Sequence, residues 1–62
     1  MTPGQLAQEI ALFLDGEYLD GAEANINARA EGGQVVFSVG VFEQPTKYYR
    51  AALVEITKEE AL

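Results

Sequence analysis

A strict alternation of apolar and polar residues, interrupted by a Gly-Gly pair, constrains this chain more than any other feature. From residue 22 to residue 31, Ala or Ile occupies every even position and a polar or charged residue every odd one. This pattern predicts a half-buried strand, and Gly32-Gly33 predicts a two-residue hairpin turn into a second strand. If Glu31 pairs with Gln34, each inward residue of one strand meets an apolar residue of the other: Ala24 with Val41, Ile26 with Val39, Ala28 with Phe37 and Ala30 with Val35.

A third strand is predicted over residues 47–57, after a turn at residues 43–46. The sequence leaves open which of its faces is buried. A two-residue turn would direct Arg50 inward, whereas a bulge or a longer loop would direct Tyr49, Ala51 and Leu53 inward. Because an unpaired buried guanidinium is costly, we expect a bulge or a longer loop near the turn.

A helix is predicted before the hairpin. Thr2 is suited to the N-cap, Pro3 to the first helical position, and Gln5 completes a capping box. Apolar residues then recur at helical spacing, and we expect this stripe to lie on the sheet: Leu6, Ile10, Phe13 and Leu14. Gly16 is suited to end the helix.

These elements predict an α+β fold, with one N-terminal helix on a three-stranded antiparallel meander. Residues 15–21 are expected to form a connecting loop, and residues 58–62 a tail or a short helical turn. Sixty-two residues are too few for two separate cores, so residues 1–62 are expected to form one small acidic domain.

The residue types that are missing exclude most enzyme chemistry. The chain has no His and no Cys, so it lacks an imidazole base, a thiolate nucleophile and the usual zinc ligands. We therefore expect no catalytic residue, no cofactor and no metal ion. The longest apolar run near the N-terminus, Ile10 to Leu14, is too short to cross a membrane. No Lys or Arg precedes this run, as a secretory signal peptide would require, so we expect the cytoplasm, or the host cytoplasm if a phage encodes the chain.

Four acids fall within nine residues: Asp15, Glu17, Asp20 and Glu23. With ten acids against four bases, the net charge is −6, which disfavours direct binding to nucleic acid or to an anionic membrane. Three interpretations of the cluster stay open: a solvated loop that aids solubility, a weak cation site, and a patch that binds a basic groove on another protein.

Two tyrosines lie between two bases in the third predicted strand, at Lys47-Tyr48-Tyr49-Arg50. This composition occurs in stacking platforms for single-stranded nucleic acid, but the net charge disfavours that interpretation. Tyr and Arg are also enriched at protein interfaces. Together with Arg29, we expect Tyr48, Tyr49 and Arg50 to lie on or near an open sheet face that binds a partner or a second copy.

Two non-enzymatic functions follow as hypotheses. In the first, the acidic patch blocks the basic site of a nucleic-acid-handling protein. Anti-CRISPR and anti-restriction proteins of phages and plasmids are such inhibitors, and this chain resembles them in size, charge and compactness. In the second, the chain is a small oligomeric assembly subunit that works through its open sheet face. The exposed apolar residues of that face also favour a homodimer.

Overall fold

The computed structural model describes residues 1–62 and contains one antiparallel sheet and two helices. The sheet has four strands in the order β1-β2-β3-β4. The elements in chain order are α1 Pro3–Leu14, β1 Tyr18–Leu19, β2 Ala24–Glu31, β3 Gln34–Val41, β4 Lys47–Ala52 and α2 Lys58–Ala61. The α+β class is confirmed, and the number of strands is corrected from three to four.

The additional strand, β1, lies inside the segment that we expected to be only a loop. Tyr18 pairs with Asn25 and Leu19 with Ala24. Two residues cannot display an alternating pattern, so periodicity alone does not reveal a strand of this length.

The β2–β3 hairpin has the predicted register throughout. Glu31 pairs with Gln34 across the Gly32-Gly33 turn, and Ala24 pairs with Val41 at the far end. Gly32 has a φ of +63°, which glycine adopts without strain. The face that carries Ile26 is the inner face of the sheet.

β4 joins this sheet through a longer loop, as expected, and its odd-numbered residues point inward. Tyr49 pairs with Phe37, and their rings stack with centroids 5.4 Å apart. The strand is shorter than predicted, because it ends at Ala52 instead of Thr57. Beyond it, α2 is capped by Thr57, whose hydroxyl accepts a hydrogen bond from the Glu60 backbone, but α2 packs against no other element.

The start of α1 is as predicted, with a capping box between Thr2 and Gln5. The helix packs on β2 and β3 and does not reach β4. The expectation that the apolar stripe lies on the sheet is right for Ile10 and Leu14, which pack against the core, and wrong for Leu6 and Phe13, because the buried helical residues are Ala7 and Ala11. The small side chains of Ala7 and Ala11 let the helix approach the sheet closely. The apolar stripe then lies along one side of the helix instead of directly over the sheet, and Phe13 is 77% exposed.

The core is consequently small. Only five side chains are buried: Ala7, Ala11, Ala24, Ile26 and Val35. The molecule exposes 5005 Å², whereas a compact monomer of 6.7 kDa is expected to expose about 3,900 Å². Its radius of gyration is 13.4 Å, against about 10.6 Å for a compact chain of this length. The fold leaves apolar surface uncovered.

Candidate interaction surfaces

The outer edge of β2 is capped by the segment that follows α1. The Asp15 carboxylate accepts a hydrogen bond from the backbone N–H of Ala28 at 2.9 Å. The N–H of Gly16 bonds to the carbonyl of Ile26, and the N–H of Ile26 bonds to the carbonyl of Glu17, both at 2.8 Å. Gly16 has a φ of +84°, so the double contact with Ile26 has the character of a β-bulge. This edge offers little backbone to another strand.

The outer edge of β4 has no such cap. Leu53 donates its backbone N–H to the carbonyl of Gly33, which fixes the alternation of hydrogen bonds along the strand. Odd-numbered residues therefore bond to β3, and the N–H and C=O groups of Tyr48, Arg50 and Ala52 point away from the sheet. No other strand or loop of the chain bonds to them.

An apolar surface lies between α1 and this bare edge, and we call it the open flank. Its members come from the displaced helical stripe and from the inner face of β3, β4 and the residue after β4: Leu6, Ile10, Phe13, Phe37, Tyr49 and Leu53. Phe13 is 77%, Tyr49 46% and Leu6 43% exposed. Exposed contiguous apolar surface of this kind is typical of protein-interaction sites.

The open flank continues into a cleft of about 390 Å³ at the N-terminal end of α1. Leu6 and the first three residues form one wall, and residues 52–55 form the other. Residues 53–57, which connect β4 to α2, are called the arm. In the arm, Val54 is 76% and Ile56 51% exposed. Both the flank and the arm thus present apolar groups that no part of the chain covers.

The outer face of the sheet carries an ionic cluster at the hairpin end. Glu31 accepts a hydrogen bond from Arg29 at 2.6 Å and lies 3.7 Å from Arg50, which also donates to Gln34 at 2.8 Å. The hydrogen bond from Arg29, together with the charges of Arg29 and Arg50, lowers the pKa of the Glu31 carboxyl from its ordinary value. Both guanidiniums remain more than half exposed.

The structure separates the four residues that the sequence assigned to one sheet face. Arg29, Tyr48 and Arg50 lie on the outer face, where Arg29 and Arg50 flank Val36 in neighbouring strands. Tyr49 lies on the inner face against Phe37. Successive residues of a strand point to opposite sides, so Tyr48 and Tyr49 cannot share a face.

The four predicted acids lie along the loop and strand edge between α1 and β2, and all are exposed. Asp15 differs from the others because its carboxylate caps β2. Glu17, Asp20 and Glu23 lie towards the end of the sheet away from the Gly-Gly turn, about 17 Å along β2 from Glu31 for Glu17, which lies opposite Ile26, and about 26 Å for Glu23. Acids and guanidiniums thus occupy opposite ends of the sheet.

The structure contains no group of three acidic side chains placed to hold a metal ion. Neither helix combines the length and the apolar character that a membrane crossing requires. A scan against protein-family models and searches of curated proteins and of solved structures return no match for this chain.

The sequence did not reveal the open flank as a site. Its residues appeared as core positions, because helical and alternating periodicity predict which face is apolar and not whether another layer covers it. The informative signal was the pair Ala7 and Ala11, whose small side chains favour the closest helix approach.

Proposed function

We propose that this chain is a non-enzymatic protein-interaction module of the cytoplasm that binds another protein chain through the open flank. The observation that carries the proposal is the uncovered apolar surface, in a molecule that exposes about 1,100 Å² more than a compact monomer of its mass. Standard protein interfaces bury about 800 Å² on each partner, so the excess is large enough for one.

Affinity capture tests this proposal, with two neighbouring residues as a matched pair. Phe13 and Leu12 are 77% and 72% exposed, but Leu12 lies on the opposite flank of α1 beside Ala28 and Ala30. The tagged chain and each Gln variant would be mixed with lysate to which a differently tagged copy of the chain has been added. Phe13→Gln is expected to lose most of the captured protein, and Leu12→Gln to retain it. Equal capture by both variants contradicts the proposal.

A second candidate function is supported by the segregation of charge. Glu17, Asp20 and Glu23 form an acidic end that no base neutralises, and such an end can bind the basic site of a nucleic-acid-handling protein. In this hypothesis the chain is an inhibitor of the kind that phages and plasmids encode against host defence. Asp15 would contribute to the shape of the end rather than to binding, since its carboxylate caps β2.

Charge reversal distinguishes this candidate from the first. Changing Glu17, Asp20 and Glu23 to Lys takes the net charge from −6 to zero, as each reversal adds two charges. Changing Glu9, Glu59 and Glu60 to Lys alters the net charge equally and leaves the acidic end intact. The inhibitor hypothesis expects only the first triple variant to lose its partner, and binding that weakens steeply with salt. Retained, salt-insensitive binding contradicts it.

A further inference from the structure

The bare edge of β4 is built to pair with another strand. Three of the six residues of β4, Tyr48, Arg50 and Ala52, have their backbone hydrogen-bonding groups free at the outer edge, next to the exposed aromatic ring of Tyr49 on the inner face. Natural sheets blunt such edges with charges, bulges or covering segments. Here the opposite edge has a bulge and a covering segment, whereas the β4 edge has neither and carries only the charges of Lys47 and Arg50.

Hydrogen-bond alternation limits how a second β4 could pair with the first. Outward groups belong to even-numbered residues, so an antiparallel copy must pair even with even positions. A two-fold axis at Arg50 would place the two guanidiniums directly opposite each other, and like charges so placed are destabilising. An axis at Tyr49 would leave Lys47 opposite Ala51 of the copy and Glu55 without a partner.

An axis at Ala51 gives a different result, because the sequence around it is complementary to itself. On the inner face, Lys47 meets Glu55 of the copy and Tyr49 meets Leu53. On the outer face, Tyr48 meets Val54, and both of these side chains are 76% exposed in the single chain. Apart from Arg50, which meets Ala52 on the outer face, apolar residues thus meet apolar residues, and the one inward base meets the one inward acid.

We propose that the partner of the open flank is a second copy of this chain, joined by antiparallel pairing of β4 about a two-fold axis at Ala51. The inference rests on the proposed function and names its partner. The two sheets become one continuous sheet of eight strands, in which each β4 is lengthened from Ala52 to Glu55 so that residues 47–55 of the two copies pair. Both inner faces lie on the same side of this sheet, so Tyr49 and Leu53 move from an edge to its centre.

The surface area agrees with this arrangement. Each chain exposes about 1,100 Å² beyond the value for a compact monomer, whereas a stable interface needs about 800 Å² per partner. Pairing also carries the arm with Val54 across to the second copy. Self-pairing therefore accounts for the arm, the bare edge and part of the open flank together.

Oligomeric state is the first test. Sedimentation equilibrium from about 1 µM to about 500 µM is expected to show a shift towards twice the chain mass of 6.7 kDa. A chain that stays monomeric over this range overturns the inference. If Phe13→Gln still loses protein capture in that case, the proposed function stands with a different partner; if it does not, both proposals fail.

Single cysteines test the register, since the native chain contains no cysteine. Residue 51 lies on the proposed axis in a non-hydrogen-bonded pair, where the two Cα atoms approach to about 4.5 Å, so Ala51→Cys is expected to form a disulfide-linked dimer with oxidised glutathione. Ala52→Cys is the control, because its two copies lie about 8 Å apart, too far for a disulfide. Equal cross-linking of both variants overturns the register.

A charge swap tests the one ionic contact. Lys47→Glu places two like charges opposite each other at two symmetric positions and is expected to weaken dimerisation about tenfold. The double variant Lys47→Glu with Glu55→Lys restores opposite charges and is expected to recover the native dissociation constant. A double variant as weak as the single one contradicts the pairing of Lys47 with Glu55.

Discussion

The two edges of the sheet differ in how the chain treats their backbone groups. At β2, the loop after α1 turns back and satisfies Ile26 and Ala28 through Gly16, Glu17 and the Asp15 carboxylate. At β4, no segment of the chain bonds to the outward groups, and α2 contacts no other element. The comparison teaches that this small domain closes one edge within itself and leaves the backbone groups of the other edge unpaired.

The same contrast holds for the layers beneath the edges. α1 covers the inner face of β2 and β3, where all five buried residues lie or pack. The inner face of β4 has no helix over it, although it carries Tyr49 and Ala51. Stability is therefore expected to depend on the β2 side and association on the β4 side.

The largest expected effect separates these two sides. Ile26 is only 4% exposed beneath α1, and Ile26→Ala is expected to lower the free energy of unfolding by about 3 kcal/mol, through lost burial and an unfilled cavity. Phe13→Ala, on the exposed flank, is expected to change the stability of the monomer by less than about 0.5 kcal/mol. Urea unfolding of dilute protein measures both. Equal losses of unfolding free energy in the two variants would contradict the difference between the β2 side and the β4 side.

Hydrogen exchange sharpens the comparison of the edges. In dilute protein, the amides of Tyr48, Arg50 and Ala52 are expected to exchange at least about tenfold faster than those of Ile26 and Ala28, because only the latter are bonded. At high concentration, self-pairing is expected to slow the amides of β4. Exchange at β4 that is slow and independent of concentration would contradict the bare edge.

Removal of the Asp15 carboxylate would make the capped edge resemble the bare one. Asp15→Ala leaves the N–H of Ala28 without its acceptor and is expected to lower the free energy of unfolding by about 1 kcal/mol. The hydrogen-exchange rate of the Ala28 amide is expected to rise as well. Asp20→Ala is the matched control, since Asp20 makes no side-chain hydrogen bond, and it is expected to have little effect.

The smallest expected effect concerns Glu31, which contacts Arg29 in its own strand and Arg50 in β4. Because its pKa is lowered in the folded protein, ionised Glu31 stabilises the fold above the ordinary pKa of a glutamate, and this contribution is lost as the pH falls through the folded value. Glu31→Gln is therefore expected to lower the melting temperature slightly at neutral pH, with the difference vanishing in acid. Glu9→Gln, which has no ionic partner, serves as the control.

Some of the structure follows from local rules alone. The alternation in β2, the Gly-Gly turn and the capping box of α1 each depend on residues that are close in sequence, and each was predicted correctly. The inward direction of Tyr49 also followed, from the cost of burying Arg50. β1 did not, because a two-residue strand exists only through its pairing with β2.

The candidate site depended on more than the sequence. Asp15 was predicted as part of an acidic patch, but its role as a cap on Ala28 depends on a contact between residues thirteen positions apart. Tyr48 and Tyr49 were assigned together, but the pleat of β4 places them on opposite faces. Sequence composition identified residues suited to an interface without indicating which of them share a surface.

By itself, the sequence determined the hairpin register, the helix start and the acidic, cysteine-free character of the chain, because these depend on periodicity, turn chemistry and composition. Only the tertiary structure decided that α1 lies on Ala7 and Ala11, with Phe13 exposed, and that one edge is capped while the other is bare. The physical reason is that helix position depends on how closely two apolar layers can approach. That distance is set by side-chain sizes on both layers together, and not by the pattern of either one.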